Sequence, residues 1–370
     1  MRSNNVLGFI FAATLDDKIP ELASSRTTAS VPIGGKYRII DFDLSNMSNS
    51  GISNVGIVAK INFQSLMDHV GSGSAYDLSK RRSNLSILPP YDGKAFSSFV
   101  ETIYNMHGYI EHCREEYVLI SQGNVITNID YTDVFDFHSK KKADITLIYK
   151  NHAIPQGYDR PITLDVDNDG KVNQIFVKPG VVDKGVFNHA YGSILIKKDL
   201  LMSEIRNAIS VNQLDVRRLI QSSLGKYSIY AYENKGYCAA ISSINDYFEF
   251  NMDLMKKEVR DELFNPQRPI YTKVRDDAPS RYGLTSNVKN SIIAQGCVIN
   301  GDVENCVISK GVYVGEGAKL SNCIVMQDTK IGCNTNLNYV IIDKDVTIKD
   351  GRSLMGYDSY PIYIAKKSVV

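Results

Sequence analysis

The run Asp165-Val166-Asp167-Asn168-Asp169-Gly170 has the residue types and spacing that open a calcium-binding loop. Such a loop needs a bidentate Glu at its twelfth position, where this chain has Phe176. The flanks Pro161–Val166 and Lys171–Val177 are strand-like, so the run reads as a hairpin turn and calcium binding is rejected. Six cysteines stand at 113, 238, 297, 306, 323 and 333 without a Cys-x-x-Cys pair. That spacing supports neither a metal site nor a disulfide framework, and reduced thiols in a cytoplasmic protein are expected.

The elements that would position any site fall into two textures. A length of 370 residues suggests two domains. With 43% apolar and 22% charged residues the composition is that of a globular protein. A formal net charge of +1 leaves no basic field for a nucleic-acid backbone, so that partner class is excluded. No stretch approaches the roughly 18 apolar residues of a membrane helix. Val6–Ala13 reads as a short buried first strand rather than a signal peptide. Up to residue 255, strand-like runs (Val55–Ile61, Tyr117–Ser121, Ala143–Tyr149, Gly192–Ile196, Tyr227–Tyr232) alternate with helical patterns. Phe99, Ile103, Met106, Ile110 and Cys113 recur at helical spacing and predict a helix over Ser97–Glu116. Apolar strands between helices imply a mostly parallel α/β sheet covered on both faces, with ligands beyond the carboxyl ends of its strands.

The texture changes near Leu254. Residues 256–286 read as a helix followed by a crossing linker. From Val288, small aliphatic residues return about every six positions with Gly or Asn between them, as in Cys297-Val298-Ile299-Asn300-Gly301 and Cys306-Val307-Ile308-Ser309-Lys310-Gly311. This hexapeptide period predicts a parallel β-helix over 287–370, in which Cys297, Cys306 and Cys323 fill aliphatic slots.

One run is more specific: Val31-Pro32-Ile33-Gly34-Gly35-Lys36-Tyr37-Arg38-Ile39-Ile40-Asp41-Phe42, followed by Leu44-Ser45-Asn46 and Asn49-Ser50-Gly51-Ile52. With His69-Val70-Gly71-Ser72-Gly73, Lys178-Pro179, Gly236-Tyr237 and Asn251-Met252-Asp253-Leu254, it resembles the bacterial glucose-1-phosphate adenylyltransferases over nearly the whole chain. That resemblance implies a Rossmann-like nucleotidyltransferase domain over 1–255 and a left-handed β-helix over 287–370.

Transfer of an adenylyl group to a sugar phosphate needs backbone N–H groups around the triphosphate, cations on the transferring phosphate, and carboxylates for Mg²⁺. The chain departs from the family pattern at those places. The family's Gly-Gly-x-Gly-x-Arg-Leu loop falls on Ala13–Ile19, where Asp16 and Asp17 are negative and Lys18 replaces the Arg without its bidentate fork. Its phosphate-facing lysine falls on Thr28, and its two metal-binding acids fall on Asn124 and Ala240. Phe99 is expected to obstruct the nucleotide pocket. Of the family's sugar-side Glu-Lys-Pro, Val177-Lys178-Pro179 keeps the phosphate-binding lysine alone.

The resemblance therefore implies a regulatory or structural subunit without catalytic residues or a tightly bound cofactor. Mg²⁺ would be held only by a catalytic glucose-1-phosphate adenylyltransferase partner, in a hetero-tetramer. It implies residual sugar-phosphate binding through Lys178, and an effector site using Arg38, Lys366 and Lys367. A working adenylyltransferase with rearranged ligands is the alternative. A hexapeptide acyltransferase is disfavoured, because no histidine lies between Val288 and Lys349 to act as base.

Overall fold

The structure, a computed structural model, describes residues 5–12, 16, 18–59, 62–79, 84–89, 98–153, 161–177, 185–274 and 276–370. The first strand, Val6–Phe11, lies inside a nine-stranded sheet, between Asn54–Val58 and Tyr117–Gln122, and is parallel to both. Asn84–Leu88 extends this parallel half outward. On the other side Val186–Lys197 runs antiparallel to Tyr117–Gln122 and joins it to Ile145–Ala153, Ile162–Val166 and Val172–Val177. Ile229–Glu233 then pairs in parallel with Ile145–Ala153.

Alternation along Val6–Phe11 shows why the strands are apolar without a break. Leu7, Phe9 and Phe11 face one core, with Val100, Ile103 and Ile205. Val6 and Ile10 face a second core, with Ile40, Leu44, Met47 and Phe135. Successive side chains point to opposite faces, and both faces are covered by helices.

The helix expected over Ser97–Glu116 is instead two short ones, Phe99–Asn105 and His107–His112. Met106 between them has φ −92° and ψ 7°, and its N–H is shared by the carbonyls of Thr102 and Ile103. That tighter turn keeps Ile103, Met106 and Ile110 on one core, so the apolar period runs through the break. The Asp165–Gly170 run is a hairpin: Asp167 accepts from the N–H groups of Asp169 and Lys171, and Gly170 takes φ 84°.

Beyond helix Lys257–Leu263 the chain crosses over, and Arg281–Tyr282 forms the first strand of the second domain. Three parallel five-stranded sheets form its sides, giving the left-handed parallel β-helix of hexapeptide proteins. Cys297, Cys306 and Cys323 are buried in its interior with Ile308, Val325 and Ile342, and all six cysteines are free. Asn290, Asn305 and Asn322 take left-handed φ values of 38°, 51° and 51°, a conformation asparagine tolerates.

The two domains share a core. Val307, Ile324 and Ile341, stacked in register on one β-helix side, pack with Val31, Ile33, Phe42 and Phe250 of the α/β domain. Gly34 and Gly35, at φ 54° and 81°, turn the hairpin Pro32–Arg38 against this seam. A Cβ on Gly35 would sit 3.3 Å from the Ile308 carbonyl oxygen, so the glycine serves domain docking.

Candidate functional site

The carboxyl ends of Val6–Phe11 and Tyr117–Gln122 deliver Ala12 and Gly123-Asn124 to the edge of the sheet. The Gly123 N–H donates to the Phe11 carbonyl at 2.9 Å. A Cβ on Gly123 would lie 2.8 Å from that same oxygen, so glycine alone fits there. A two-stranded ribbon follows, with Val125–Thr127 antiparallel to Cys238–Ala240 and Ala240 opposite Val125. This brings Asn124 opposite Ile241, the neighbour of Ala240, although the two segments are far apart in sequence. Asn124 is fully buried; its Nδ2 donates to the Ile241 carbonyl at 3.2 Å, and its own carbonyl accepts from the Ile241 N–H at 2.9 Å. Its Oδ1 accepts no hydrogen bond among the described residues. An amide and a methyl do not fit Mg²⁺, which is held by carboxylate and phosphate oxygens. Among the described residues no three His, Cys, Asp or Glu side chains gather as metal ligands would.

The walls around this ribbon are filled from within the chain. Asp16 Oδ1 accepts from both the backbone N–H and the hydroxyl of the buried Thr28, each at 2.7 Å. The carboxylate therefore stabilises the short helical turn Thr28–Ser30. Phe99 stacks on Phe11 with ring centroids 4.4 Å apart and covers the end of the first strand. On the other wall Tyr191 packs with Val125 and Ala240, and its hydroxyl is hydrogen-bonded with His152 Nε2 at 2.9 Å. His152 in turn lies 3.2 Å from His189. Burial holds both imidazoles below their ordinary range, His189 at about 3, so this wall is uncharged at neutral pH. Lys18 is exposed, while Ala13–Leu15, Asp17 and Lys178 lie outside the described residues.

A second, cationic place lies between the domains. A niche of about 60 Å³ is lined by Lys36, Arg38 and Lys273 from one side and Lys310 from the β-helix, with Asp68 the one carboxylate. Arg38 is positioned by donating to the carbonyl and hydroxyl of Ser65, at 2.6 and 2.8 Å. Behind it, Asp41 accepts from Tyr76 and His69, both at 2.6 Å. Lys344 is the residue that sequence reasoning missed. Burial, then the Arg38 and Arg26 charges, push its ammonium down to about 7, and Lys366 adds to the effect. The Lys367 N–H donates to the Lys344 carbonyl at 3.0 Å, which brings the C-terminal segment back beside it. Arg38 and Lys366 thus share one electrostatic neighbourhood, with Lys366 and Lys367 themselves exposed. A lysine after the aliphatic triplet Val340-Ile341-Ile342 was the available signal in the sequence.

A mixed α/β sheet ending in this ribbon, joined to a hexapeptide β-helix, is the two-domain architecture of the nucleotidyltransferase family. The nucleotidyl transferase family profile matches residues 17–257, and the GlmU-like C-terminal hexapeptide profile matches 273–360. The chain is 32% identical over 370 residues to the glycogen biosynthesis protein GlgD of Bacillus subtilis (strain 168), covering 99% of this chain and 97% of that one. It is 37% identical over 326 residues to GlgD of Geobacillus stearothermophilus, covering 85% and 83%. To the glucose-1-phosphate adenylyltransferase of Clostridium acetobutylicum it is 31% identical over 325 residues, covering 85% and 84%. The chain belongs to the glucose-1-phosphate adenylyltransferase family, with its GlgD members. No described helix is long and apolar enough to cross a membrane.

Proposed function

We propose that this chain is a non-catalytic regulatory or structural subunit of glucose-1-phosphate adenylyltransferase, which makes ADP-glucose and diphosphate from ATP and glucose 1-phosphate. It modulates a catalytic paralogue within a cytoplasmic hetero-tetramer, and Mg²⁺ belongs to that partner. The observation that carries this reading is the buried pair Asn124 and Ala240 at the end of the central strands. No carboxylate stands at either position to hold a metal among ATP phosphates, so the main electrostatic term of the reaction is missing. The Asp16–Thr28 bonds and the Phe99–Phe11 stack point the same way, since both occupy space that nucleotide would need. The ordered scaffold is then retained for assembly, where contact between subunits supplies a coupling free energy. Lys178 is the candidate for residual sugar-phosphate binding. The cations around Arg38, Lys366 and Lys367 suit an anionic effector between the domains.

The test is an assay of ADP-glucose formation by the purified chain, by the catalytic paralogue, and by the two together. The expected result is no product from this chain alone and a raised rate from the mixture. Robust product from this chain alone would overturn the proposal and favour a working enzyme with rearranged ligands. A paired substitution, Asn124→Asp with Ala240→Asp, is expected to create Mg²⁺-dependent thermal stabilisation, because it returns carboxylates to both positions at which the family's metal-binding acids fall.

A further inference from the structure

Lys310, Gln327, Lys344 and Lys366 stack on one corner of the β-helix. Each stands two positions beyond one of the in-register residues Ile308, Val325, Ile342 and Ile364. The backbone ladder continues through this corner. The N–H groups of Asp328, Asp345 and Lys367 donate to the carbonyls of Lys310, Gln327 and Lys344, each at 3.0 Å. Successive turns of such a ladder lie about 4.8 Å apart. Lys310 and Gln327 line the interdomain niche, so Lys344 stands one turn beyond it. The proposed function makes no use of its amine.

The setting of that amine is specific. The Lys344 backbone N–H donates to Asp343 Oδ1 at 2.6 Å, while Nζ makes no hydrogen bond or ion pair among the described residues. Asp343 is the one carboxylate named among the charges that act on it, and Arg26 and Tyr363 already occupy its oxygens. Arg38, Arg26 and Lys366 all oppose a positive charge there. The side chain is half-buried, so solvent still reaches it. An ammonium without an acceptor, facing cations, is disfavoured, and burial with those charges holds Lys344 down to about 7. A neutral lysine amine is a nucleophile towards electrophilic carbon. The surrounding charge decides which product suits the place. An amide or an imine would leave the cations without a counter-charge. A carbamate carries one negative charge, which Arg38 and Lys366 favour for the same reason that they disfavour the ammonium. The adjoining niche is only about 60 Å³, which suits the smallest electrophile that leaves such a charge.

We propose that Lys344 is a modification site at which carbon dioxide converts the amine into a carbamate anion beside Arg38 and Lys366. The nitrogen lone pair forms the N–C bond, one C=O electron pair moves onto oxygen, and the proton released from nitrogen passes to water. Carbon dioxide is the only co-reactant, and no oxidant or leaving group is involved. The site is independent of whether the chain is catalytic, because it shares no residue with the ribbon. The test incubates the full chain with carbon-13-labelled bicarbonate at neutral pH. Carbamates are trapped with triethyloxonium and mapped by peptide mass spectrometry, while carbon-13 NMR of the untrapped protein reads occupancy. The adduct is expected on Lys344 above every other lysine. Lys344→Arg should abolish the resonance, and Lys349→Arg, at an exposed position of the same domain, should leave it unchanged. Arg38→Met should lower occupancy about threefold or more, because a cation near the carbamate is lost. Mapping of the unaltered chain stays decisive if a variant fails to fold by circular dichroism. No adduct on Lys344, an adduct spread evenly over the surface lysines, or occupancy indifferent to Arg38→Met would overturn the assignment. None of these outcomes depends on the ADP-glucose assay, so the two proposals fail separately.

Discussion

Lys344 shows how much a single buried charge can depend on its surroundings. Its folded value of about 7 lies well below the ordinary 10.5 because it is buried near Arg38 and Arg26. Between those two values the unfolded chain binds a proton that the folded chain does not, so folding stability from this group rises with pH. The penalty is fully present below about 7 and disappears above the unfolded value. Lys344→Met is therefore expected to raise the thermal midpoint more at pH 6 than at pH 10, read by differential scanning calorimetry. An equal gain at both values would show that Lys344 is not held deprotonated by its site. The same residue also bears on effector binding. An anion in the niche would favour the charged ammonium, so affinity for inorganic phosphate should increase as pH falls through 7.

Among the elements, strand Val186–Lys197 has the most demanding geometry. It pairs with strands on both sides, and its register shifts between Ala190 and Ile194. Gly192 lies at that irregularity with φ 85°, and a Cβ there would fall 2.0 Å from the Gln122 side chain. Gln122 ends the central strand just before Gly123-Asn124, so the bulge sets the floor of the ribbon. Gly192→Ala is expected to cost about 2–3 kcal/mol in urea unfolding, from backbone strain and from the clash. Adding Gln122→Ala should recover the share due to the clash and leave the strain. The apolar period of Ser97–Glu116 was legible in the sequence while the break at Met106 was not, because both halves feed the same core. Periodicity reports which face is buried, and the Met106 turn keeps that face aligned.

At the scale of the whole molecule, the domains are joined by apolar packing and by the buried ion pair of Arg26 with Asp343. Arg26 donates through Nη2 to both oxygens of Asp343, at 2.7 and 2.8 Å, and both residues are at most 2% exposed. Tyr363 donates to Asp343 as well, at 2.7 Å. Removing one partner leaves a buried charge without its counter-ion, so Arg26→Met is expected to destabilise the chain by about 3–5 kcal/mol. Arg26→Met combined with Asp343→Asn should recover more than half of that loss in the same denaturation experiment. A purely additive result would mean that the pair contributes little to the seam.

The sequence by itself determined the two domain textures, the hexapeptide β-helix and the positions at which the chain departs from the family pattern. Each of these is written locally, as a period of two or six or as the identity of one residue in a recognisable run. Only the tertiary structure decided what the replacements do. Asp16 folds onto Thr28, Phe99 lies on Phe11, and Asn124 meets Ile241 at the end of a ribbon whose strands are more than a hundred residues apart. It also decided that Gly34-Gly35 docks a hairpin on the β-helix and that Arg38 and Lys366 both act on the charge of Lys344. Contacts between distant segments leave no period in the chain, and burial, which fixes the charge of Lys344 and the imidazoles beside Tyr191, exists only once those segments have met.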